Sequence, residues 1–189
     1  PGASLGGARP KANFTQTDGS LWIAKFPSRE DDMDIGGWEG VVHALALQAR
    51  LDVPDAKVFK FGKYFHTFCV KRFDRLQGRR VFYASAMTLL GRQDSEGSSY
   101  VDLARLLLTL GNPATLKHDL EQMFRRVVFN VCVSNRDDHL RNHGFLFDGK
   151  NWRLSPAFDV NPNLAKVEHV LNLDAVTNRP DLELAASTA

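Results

Sequence analysis

The most informative stretch of the sequence is SNRDDHLRN, residues 134–142. It follows a helix-patterned segment and precedes a short strand pattern, so we predict a loop between structured elements, where catalytic groups are commonly held. Two side chains of this loop suit phosphate chemistry. The carboxylate of Asp137 can accept a proton, and the amide oxygen of Asn142 can bind a divalent metal ion without adding a negative charge. The stretch therefore predicts a catalytic loop.

A second acidic motif strengthens this interpretation. Asp137 and Asn142 have the D-x-x-x-x-N spacing of kinase catalytic loops, and SPAFDV (residues 155–160) then leads through apolar residues to Asp159. A kinase places its second metal ligand at such a position. A strand–turn–strand pattern lies between the two motifs and can fold their carboxylates towards one site. We therefore predict that Asp137 is the catalytic residue and that Asn142 and Asp159 bind Mg²⁺.

The first third of the sequence contains candidates for nucleotide binding. Lys25 lies in a strand pattern, LWIAKF (residues 21–26), and resembles the strand lysine that pairs with ATP phosphates in kinases. Glu39 lies at the start of the helix predicted over 38–50 and could orient this lysine. Alternatively, Lys25 is an exposed strand lysine and Glu39 is a favourable charge at a helix N-terminus. The two downstream Asp motifs favour the functional interpretation.

The chain starts with a glycine-rich segment, SLGGARPK (residues 4–11). Its backbone N–H groups, among them those of Ser4, Gly6, Gly7 and Ala8, could cradle phosphate oxygens, and Lys11 would add positive charge. A glycine-rich terminus is, however, more often merely flexible. The pattern alone leaves both interpretations open.

Hydrophobic periodicity predicts two lobes. Residues 56–61 and 64–70 flank Gly62 and Lys63 and predict a hairpin, whereas helical spacing predominates after Asp74. The predicted helices cover 84–90, 100–110 and 116–133, with Gly91 and Gly111 as C-terminal stops, and further predicted strands cover 144–147 and 152–154. The sequence thus predicts an α+β fold. Its β-rich N-lobe is expected over residues 1–72 and its mainly helical C-lobe over residues 73–189.

Composition limits the class of protein. Hydrophobic residues make up 43% of the chain and charged residues 24%, as in ordinary globular proteins, and the formal net charge of +2 is too small to indicate nucleic-acid binding by itself. No stretch approaches the ~20 apolar residues of a membrane-spanning helix, and residues 1–10 lack the apolar core of a secretion signal. We therefore expect a cytoplasmic protein without a membrane partner. Because the sequence begins at Pro1 without a methionine, we also expect a fragment of a longer protein.

Several strings of the sequence occur in an order that is specific to one family. They are SLGGARPK, IAKFP, VPDAKV, VKRFDR, SNRDDHLRN and SPAFDV, and the match around them extends from Ser4 to about Asp174. Together they resemble the HipA-type kinase toxins of bacterial toxin–antitoxin systems. The resemblance implies a bilobal protein-kinase-like fold and an ATP- and Mg²⁺-dependent serine/threonine kinase activity on a protein substrate.

The resemblance also implies roles for individual residues. Asp137 resembles the catalytic Asp, Asn142 and Asp159 the metal ligands, and Lys25 the nucleotide lysine. Further residues of the implied nucleotide site are Ser4, Gly6, Gly7, Ala8, Lys11, Glu39, Lys71, Arg72, Phe73 and His139, of which residues 71–73 form the hinge beside adenine. Ser4 corresponds to a regulatory serine whose autophosphorylation ejects the phosphate-binding loop and silences the kinase.

The family further implies a substrate and partners. Its best-known member phosphorylates a glutamyl-tRNA synthetase, which starves translation and produces dormant, drug-tolerant cells. Related toxins act on other synthetases, so the implied substrate is an aminoacyl-tRNA synthetase. A small helix-turn-helix antitoxin of the HipB type usually binds the kinase and represses their operon, which makes operator DNA an indirect partner. We also expect an upstream subdomain and final helices outside these 189 residues.

Three other interpretations stay open from the residues alone. A small-molecule phosphotransferase uses a similar Asp…Asn…Asp set. A metal hydrolase could use Asp138, His139 and His143, although the spacing of two histidines four apart indicates a zinc site only on a helix, and a hydrogen-bonding histidine is the commoner case. The non-enzymatic alternative is a pseudokinase that binds an antitoxin and DNA; the presence of the acidic and basic groups that catalysis needs disfavours it.

Overall fold

A four-stranded antiparallel sheet forms the N-terminal part of the computed structural model, which describes residues 9–76 and 78–187. In sheet order its strands are β1 (Lys11–Thr15), β2 (Leu21–Lys25), β4 (Thr67–Lys71) and β3 (Ala56–Phe59). Helix α1 (Ile35–Gln48) connects β2 to β3 and packs against β3 and β4. Asp34 caps this helix, because its carboxylate accepts a hydrogen bond from the N–H of Gly37 at 3.0 Å.

Alternation along β2 places its side chains on two faces of the sheet. Trp22 and Ala24 are buried and form a small core cluster with Cys69 of β4. Because successive side chains of a strand point to opposite faces, Ile23 and Lys25 lie on the other face, where both line a cavity. The period of the strand therefore sets the direction of Lys25.

The C-terminal part combines helices with a second, three-stranded antiparallel sheet. Its helices are α2 (Ala86–Leu89), α3 (Tyr100–Leu110), α4 (Leu116–Cys132) and α5 (Leu182–Ser187). The sheet contains β7 (Phe82–Ser85), β8 (Gly144–Phe147) and β9 (Trp152–Leu154) in that order, and the short strands β5 (Arg75–Leu76) and β6 (Arg79–Arg80) pair just before it. A single 3₁₀ turn (Leu140–Asn142) precedes β8.

The main hydrophobic core lies between α3, α4 and β8. Leu103, Leu107 and Phe145 are among its fully buried members, and full burial of each such side chain contributes about 1.5–3 kcal/mol. A capping box fixes the start of α3: Ser99 Oγ accepts a hydrogen bond from the N–H of Asp102, whose carboxylate accepts one from the N–H of Ser99. The core therefore anchors α4, after which the loop of residues 134–142 begins.

Local periodicity predicts several elements correctly and misplaces one. The helix predicted over 100–110 and the strands predicted over 144–147 and 152–154 have the observed bounds, and the hairpin of β3 and β4 is confirmed. The helix predicted over 84–90 is wrong at its start. Ala84 and Ser85 belong to β7, which pairs with β8, and the Ser85 hydroxyl caps the short helix that follows. The strand predicted over 64–70 begins only at Thr67.

The distribution of elements confirms the α+β prediction. Strands predominate up to β4 and helical residues predominate after it. The division into lobes at residues 72 and 73 stays a prediction, although β4 ends next to it at Lys71. Within the described ranges, no helix combines the length and the apolar character that crossing a bilayer requires.

Candidate active site

A cavity of about 370 Å³ lies between the N-terminal sheet, helix α1 and residues 157–160. Its lining includes these residues predicted for nucleotide binding: Lys11, Lys25, Glu39, Lys71, Arg72, Phe73 and Asp159. Much of the remaining wall is apolar, with Val42, Phe68 and Val160 among its members. Small-molecule sites commonly have such apolar walls and a few converging charged groups.

Lys25 is the charged centre of this cavity. Its ammonium contacts the carboxylate of Glu39 and lies 2.8 Å from Oδ1 of Asp159. The side chain of Lys25 is 14% exposed and that of Asp159 is 50% exposed, whereas Glu39 is buried. Lys25 therefore joins the N-terminal sheet, helix α1 and the segment after β9 at one point.

The charge state of these three residues follows from their burial and contacts. Burial alone would lower the pKa of Lys25, but the carboxylates of Glu39 and Asp159 outweigh it, so the pKa of Lys25 lies above its ordinary value. Burial opposes the charge of Asp159, but Lys25 outweighs this effect and lowers the pKa of Asp159. Burial raises the pKa of Glu39, although Lys25 opposes that rise. At neutral pH the cavity therefore contains an ammonium and the ionised carboxylate of Asp159.

Lys11 adds a second cationic side chain to the cavity. It lies opposite Lys25 in the register of β1 and β2, and it lines the same cavity. Burial lowers the pKa of Lys11, and the nearby carboxylate of Asp159 opposes this shift. The other predicted phosphate-binding residues, Ser4, Gly6, Gly7 and Ala8, lie outside the described residues, so their roles stay predictions.

Residues 71–73, the predicted hinge, lie at the edge of the cavity. The first two are engaged in ion pairs, Lys71 with Asp55 at 3.2 Å and Arg72 with Asp74 at 2.6 Å. The ring of Phe73 packs against that of Phe158, with centroids 5.4 Å apart. Of the three residues, Phe73 therefore offers an apolar surface to the cavity and also touches the segment that leads to Asp159.

The backbone of Asp159 has an unusual conformation. Its φ of 57° lies in the left-handed region, which few non-glycine residues adopt, although Asp tolerates it better than most. The chain before it is held on both sides, because the N–H of Ala157 donates to the carbonyl of Asp52 at 2.7 Å and Phe158 packs on Phe73. Such a conformation costs of order 1–3 kcal/mol and is typical of functional sites. The carboxylate that contacts Lys25 is thus positioned by its neighbours.

The loop of residues 134–142 brings Asp137 and Asn142 together. Helix α4 ends at Cys132, and Ser134 has a φ of 55°, which turns the chain away from the helix axis. The side-chain amide of Asn142 donates a hydrogen bond from Nδ2 to the backbone carbonyl of Asp137 at 3.5 Å. Asn142 is buried, whereas the side chain of Asp137 is 52% exposed. The predicted catalytic carboxylate is therefore accessible to an incoming hydroxyl.

His139 links this loop to the cavity electrostatically. It is close enough to Asp159 to help lower the pKa of that carboxyl. Its Nδ1 is buried and has no hydrogen-bond partner among the residues that the structure describes. His139, Asn142 and Asp137 do not line the cavity themselves. The site therefore consists of two groups, one inside the cavity around Lys25 and one in the loop around Asp137.

Asp138, the neighbour of Asp137, has a different role. It is buried, and its Oδ2 accepts hydrogen bonds from the hydroxyl of Tyr100 at 2.7 Å and from Nδ2 of Asn130 at 2.8 Å. Nε2 of His143 lies 2.7 Å from the same oxygen. His143 is thus the hydrogen-bonding histidine that its sequence context favours. No cluster of three His, Cys, Asp or Glu side chains suited to a metal occurs within the described ranges, so the structure gives the hydrolase alternative no support.

Sequence reasoning missed Lys166, whose ammonium contacts the carboxylate of Asp137. Lys166 lies 29 residues after Asp137 in an irregular segment that has no motif of its own. Sequence reasoning also missed Tyr100 and Asn130 as hydrogen-bond partners of Asp138. The capping signal before Tyr100 shows where α3 begins, but no local pattern shows that its hydroxyl meets the loop.

Comparisons with known proteins identify a family for this chain. A protein-family model described as the HipA-like C-terminal domain matches residues 3–188. The serine/threonine-protein kinase toxin HipA of Shewanella oneidensis is 26% identical over 190 residues, an alignment that covers 85% of this chain and 43% of the toxin. The curated relatives from Sinorhizobium fredii and Haemophilus influenzae are matched over 39% and 52% of their lengths. The chain thus spans about half the length of these relatives or less.

Two solved structures have a similar fold. The complex of HipA, HipB and operator DNA from Shewanella oneidensis matches with a TM-score of 0.75 at 20% identity, over 100% of this chain and 55% of the matched chain. The proinflammatory kinase CtkA of Helicobacter pylori matches with a TM-score of 0.65 at 17% identity, over 89% and 69% of the two chains. Both similarities concern the fold, which is kinase-like. The family model covers residues 3–188, nearly the whole chain, which therefore belongs to the family of HipA-like C-terminal domains.

Proposed function

We propose that this chain is the catalytic part of an ATP- and Mg²⁺-dependent serine/threonine protein kinase, the toxin of a toxin–antitoxin system. The observation that carries the proposal is the double contact of Lys25 with Glu39 and Asp159 inside the cavity. In protein kinases a strand lysine, paired with a helix glutamate, meets the nucleotide phosphates near a metal-binding Asp, and Lys25, Glu39 and Asp159 suit these three roles. Membership of the HipA-like family supports the same activity.

The cavity suits a nucleotide in shape and charge. Its apolar wall, including Phe73 and Val42, can cover a planar base, while Lys25 and Lys11 supply positive charge for the phosphates at one end. Residues 71–73 would form the hinge beside the adenine. The resemblance to HipA-type kinases also assigns Ser4, Gly6, Gly7 and Ala8 to the phosphate-binding loop.

The donor set suits magnesium. The half-exposed carboxylate of Asp159 and the amide oxygen of Asn142 are hard oxygen ligands of the kind that Mg²⁺ prefers. When bound, the ion would neutralise charge on the ATP phosphates. Asn142 would remain oriented by its hydrogen bond to the backbone carbonyl of Asp137.

Asp137 would act on the acceptor hydroxyl. In the proposed reaction the hydroxyl oxygen bonds to the γ-phosphorus while the bond from that phosphorus to the β–γ bridging oxygen breaks and ADP leaves. The hydroxyl proton goes to the carboxylate of Asp137, which is accessible for this purpose. Lys25 would hold the phosphates in line for the attack.

An in-vitro reaction with γ-labelled ATP and Mg²⁺ tests the proposal. The purified chain is incubated alone, with dephosphorylated casein, and with a desalted cytosolic lysate to which a small-molecule fraction is added back. We expect label in protein, and we expect EDTA to abolish it. Label that enters only a metabolite would favour the small-molecule phosphotransferase, and the absence of any transfer would favour a pseudokinase.

We further propose an aminoacyl-tRNA synthetase as the substrate, of the glutamyl type by analogy with the HipA family. A HipB-like helix-turn-helix antitoxin is the proposed partner, with operator DNA bound through it. The support is that the similar HipA of Shewanella oneidensis was solved with HipB and its operator DNA. Identification of the labelled protein from the lysate tests the substrate, and co-purification with a HipB-like antitoxin tests the partner.

Replacing Lys25 with methionine should weaken nucleotide binding. Loss of a charge-assisted contact worth about 1.5–3 kcal/mol raises the dissociation constant of Mg·ATP about 10- to 100-fold. Glu39 would lose its partner but can take up a proton, because burial already raises its pKa. Isothermal titration calorimetry of the wild type and the variant measures the change in the dissociation constant of Mg·ATP. Lys60→Met, at an exposed lysine just after β3, is the matched control and should bind like the wild type.

Replacing Ser4 with alanine should remove the main autophosphorylation site and leave phosphorylation of an external substrate intact. The reason is that Ser4 corresponds by resemblance to the regulatory serine of the family. Its hydroxyl accepts a phosphoryl group in autophosphorylation and is not needed when the acceptor is another protein. A phosphopeptide map by mass spectrometry checks this. A major phosphosite elsewhere in the wild-type chain would contradict the role proposed for Ser4.

A further inference from the structure

The irregular segment of residues 160–170 is held against the loop of residues 134–142. The N–H of Asn163 donates to the carbonyl of Ser134 at 2.8 Å, and the N–H of Val170 donates to the carbonyl of Arg136 at 3.2 Å. Nη1 of Arg136 in turn donates to the carbonyl of Lys166 at 2.6 Å. Backbone groups therefore fix the position of Lys166 beside the loop.

The side chain of Asn163 shapes the same segment. Its Oδ1 accepts hydrogen bonds from the N–H groups of Ala165 at 3.2 Å and Lys166 at 3.3 Å, which forms a tight turn. This turn and the three contacts to residues 134–136 involve no atom of the Lys166 side chain. Substitution of that side chain should therefore leave the segment in place.

The Lys166 ammonium contacts Oδ1 of Asp137, the proposed catalytic carboxylate. The side chains of Lys166 and Asp137 are 42% and 52% exposed. An ion pair as exposed as this contributes little to stability, so the contact has no evident structural purpose. Because Asp137 is half exposed, an acceptor hydroxyl can approach the carboxylate while the lysine stays in contact with it.

We propose that Lys166 is a further catalytic residue, which binds the phosphoryl group while it is transferred. This inference rests on the proposed kinase function. The acceptor hydroxyl must lie against Asp137, and the reacting phosphorus must lie about 3–3.5 Å from the hydroxyl oxygen. An ammonium that reaches Asp137 therefore also reaches the phosphoryl oxygens. Lysine has three N–H donors, so it can contact the carboxylate and the phosphoryl group together.

The charge of Lys166 would act at the place to which the phosphoryl group moves during the reaction. The γ-phosphorus loses ADP and gains the hydroxyl oxygen, so its negatively charged oxygens lie closer to the ammonium in the transition state than in bound ATP. An ammonium held beside them lowers the barrier and needs little reorganisation, because the segment is fixed beforehand. Lys25 lies inside the cavity and meets the nucleotide, so the two lysines have separate tasks.

Two variants and a matched control test the proposal with casein as the acceptor. Lys166→Met removes the charge, Lys166→Arg retains it, and Lys150→Met removes an exposed lysine in the turn between β8 and β9. For Lys166→Met we expect kcat to fall about 10- to 100-fold while KM for ATP stays within about threefold. Lys166→Arg should recover part of the loss, and Lys150→Met should equal the wild type.

A binding measurement supplies a readout that does not depend on the acceptor. ADP with Mg²⁺ and aluminium fluoride mimics the phosphoryl group in transfer. Lys166→Met should bind this mixture about tenfold more weakly than the wild type and bind Mg·ADP equally well. An unchanged or raised kcat, together with equal binding of the mimic, would overturn the role of Lys166 and leave the kinase function standing. A wild-type chain that transfers no phosphate to any protein would overturn both.

Discussion

We expect Asp137→Ala to abolish ATP-dependent phosphorylation and to leave the protein folded. Among the substitutions proposed, this one should have the largest effect on activity. A general base contributes typically 10²–10⁴-fold to a rate, so label incorporation should fall by about that factor. Folding should change little, because the carboxylate is half exposed and its ion pair with Lys166 contributes at most about 1 kcal/mol. Initial rates with γ-labelled ATP and a thermal melt of the same samples measure both quantities.

The matched control for this substitution is Glu121→Ala. It removes an exposed carboxylate near the start of helix α4, whereas the loop follows the end of that helix. It should retain the wild-type rate. Asp137→Asn offers a second comparison, since it keeps the size of the side chain and removes the basic oxygen. Incorporation at the wild-type rate by Asp137→Ala would show that another group accepts the proton.

The sequence predicts that Asp137 and Asn142 lie close together, because their relation is local. Both lie in one loop, and the D-x-x-x-x-N spacing brings the amide of Asn142 to the backbone of Asp137, as the hydrogen bond between them shows. Lys25 is nearly as accessible to prediction. Its strand is short and alternates clearly, so the period places it on the face opposite Trp22 and Ala24.

Other features depend on contacts between distant parts of the chain, and the sequence alone does not reveal them. The last two residues of β7, Ala84 and Ser85, were predicted as helix because the partner strand β8 lies far away in sequence. The left-handed backbone of Asp159 results from packing around Phe158 and from the hydrogen bond of Ala157. Lys166 reaches Asp137 only because its segment is bonded to residues 134–136. No spacing rule covers such contacts.

The pair Asp137 and Asp138 illustrates the same limit at neighbouring positions. The sequence shows two adjacent carboxylates, and only the spacing to Asn142 favours Asp137 over Asp138 as the catalytic residue. The structure distinguishes them physically, since Asp137 is half exposed and Asp138 is buried with three polar partners. Position in a motif therefore suggests which residue is catalytic, and burial shows which one supports the loop.

Asp138→Ala should produce the largest loss of stability among single substitutions near the site. The hydroxyl of Tyr100, the amide of Asn130 and Nε2 of His143 would lose their common acceptor in a buried environment. Removing one partner from such a buried charged network costs about 3–5 kcal/mol, a large share of the roughly 5–15 kcal/mol that a domain has in total. Urea unfolding followed by circular dichroism measures the free energy of unfolding.

The pH dependence of this effect has a definite sign. Burial opposes the charge of Asp138, but the nearby His143, the hydroxyl of Tyr100 and Arg126 outweigh it, so the pKa of Asp138 in the folded protein lies below its ordinary value. The ionised carboxylate therefore contributes its full stabilisation above about pH 4, and this contribution is lost as the pH falls through the lower, folded-state pKa. Asp138→Asn keeps the shape without the charge.

The difference in unfolding free energy between the wild type and Asp138→Asn should thus shrink below about pH 4. Comparing the two proteins at each pH cancels the titration of other carboxylates, which both share. Asp137→Ala is the neighbouring control and should show no such loss of stability at neutral pH. Equal urea midpoints for the wild type, Asp138→Ala and Asp138→Asn at pH 7 would mean that the hydrogen bonds to Asp138 do not hold the loop, and the neighbouring Asp137 would then need another support.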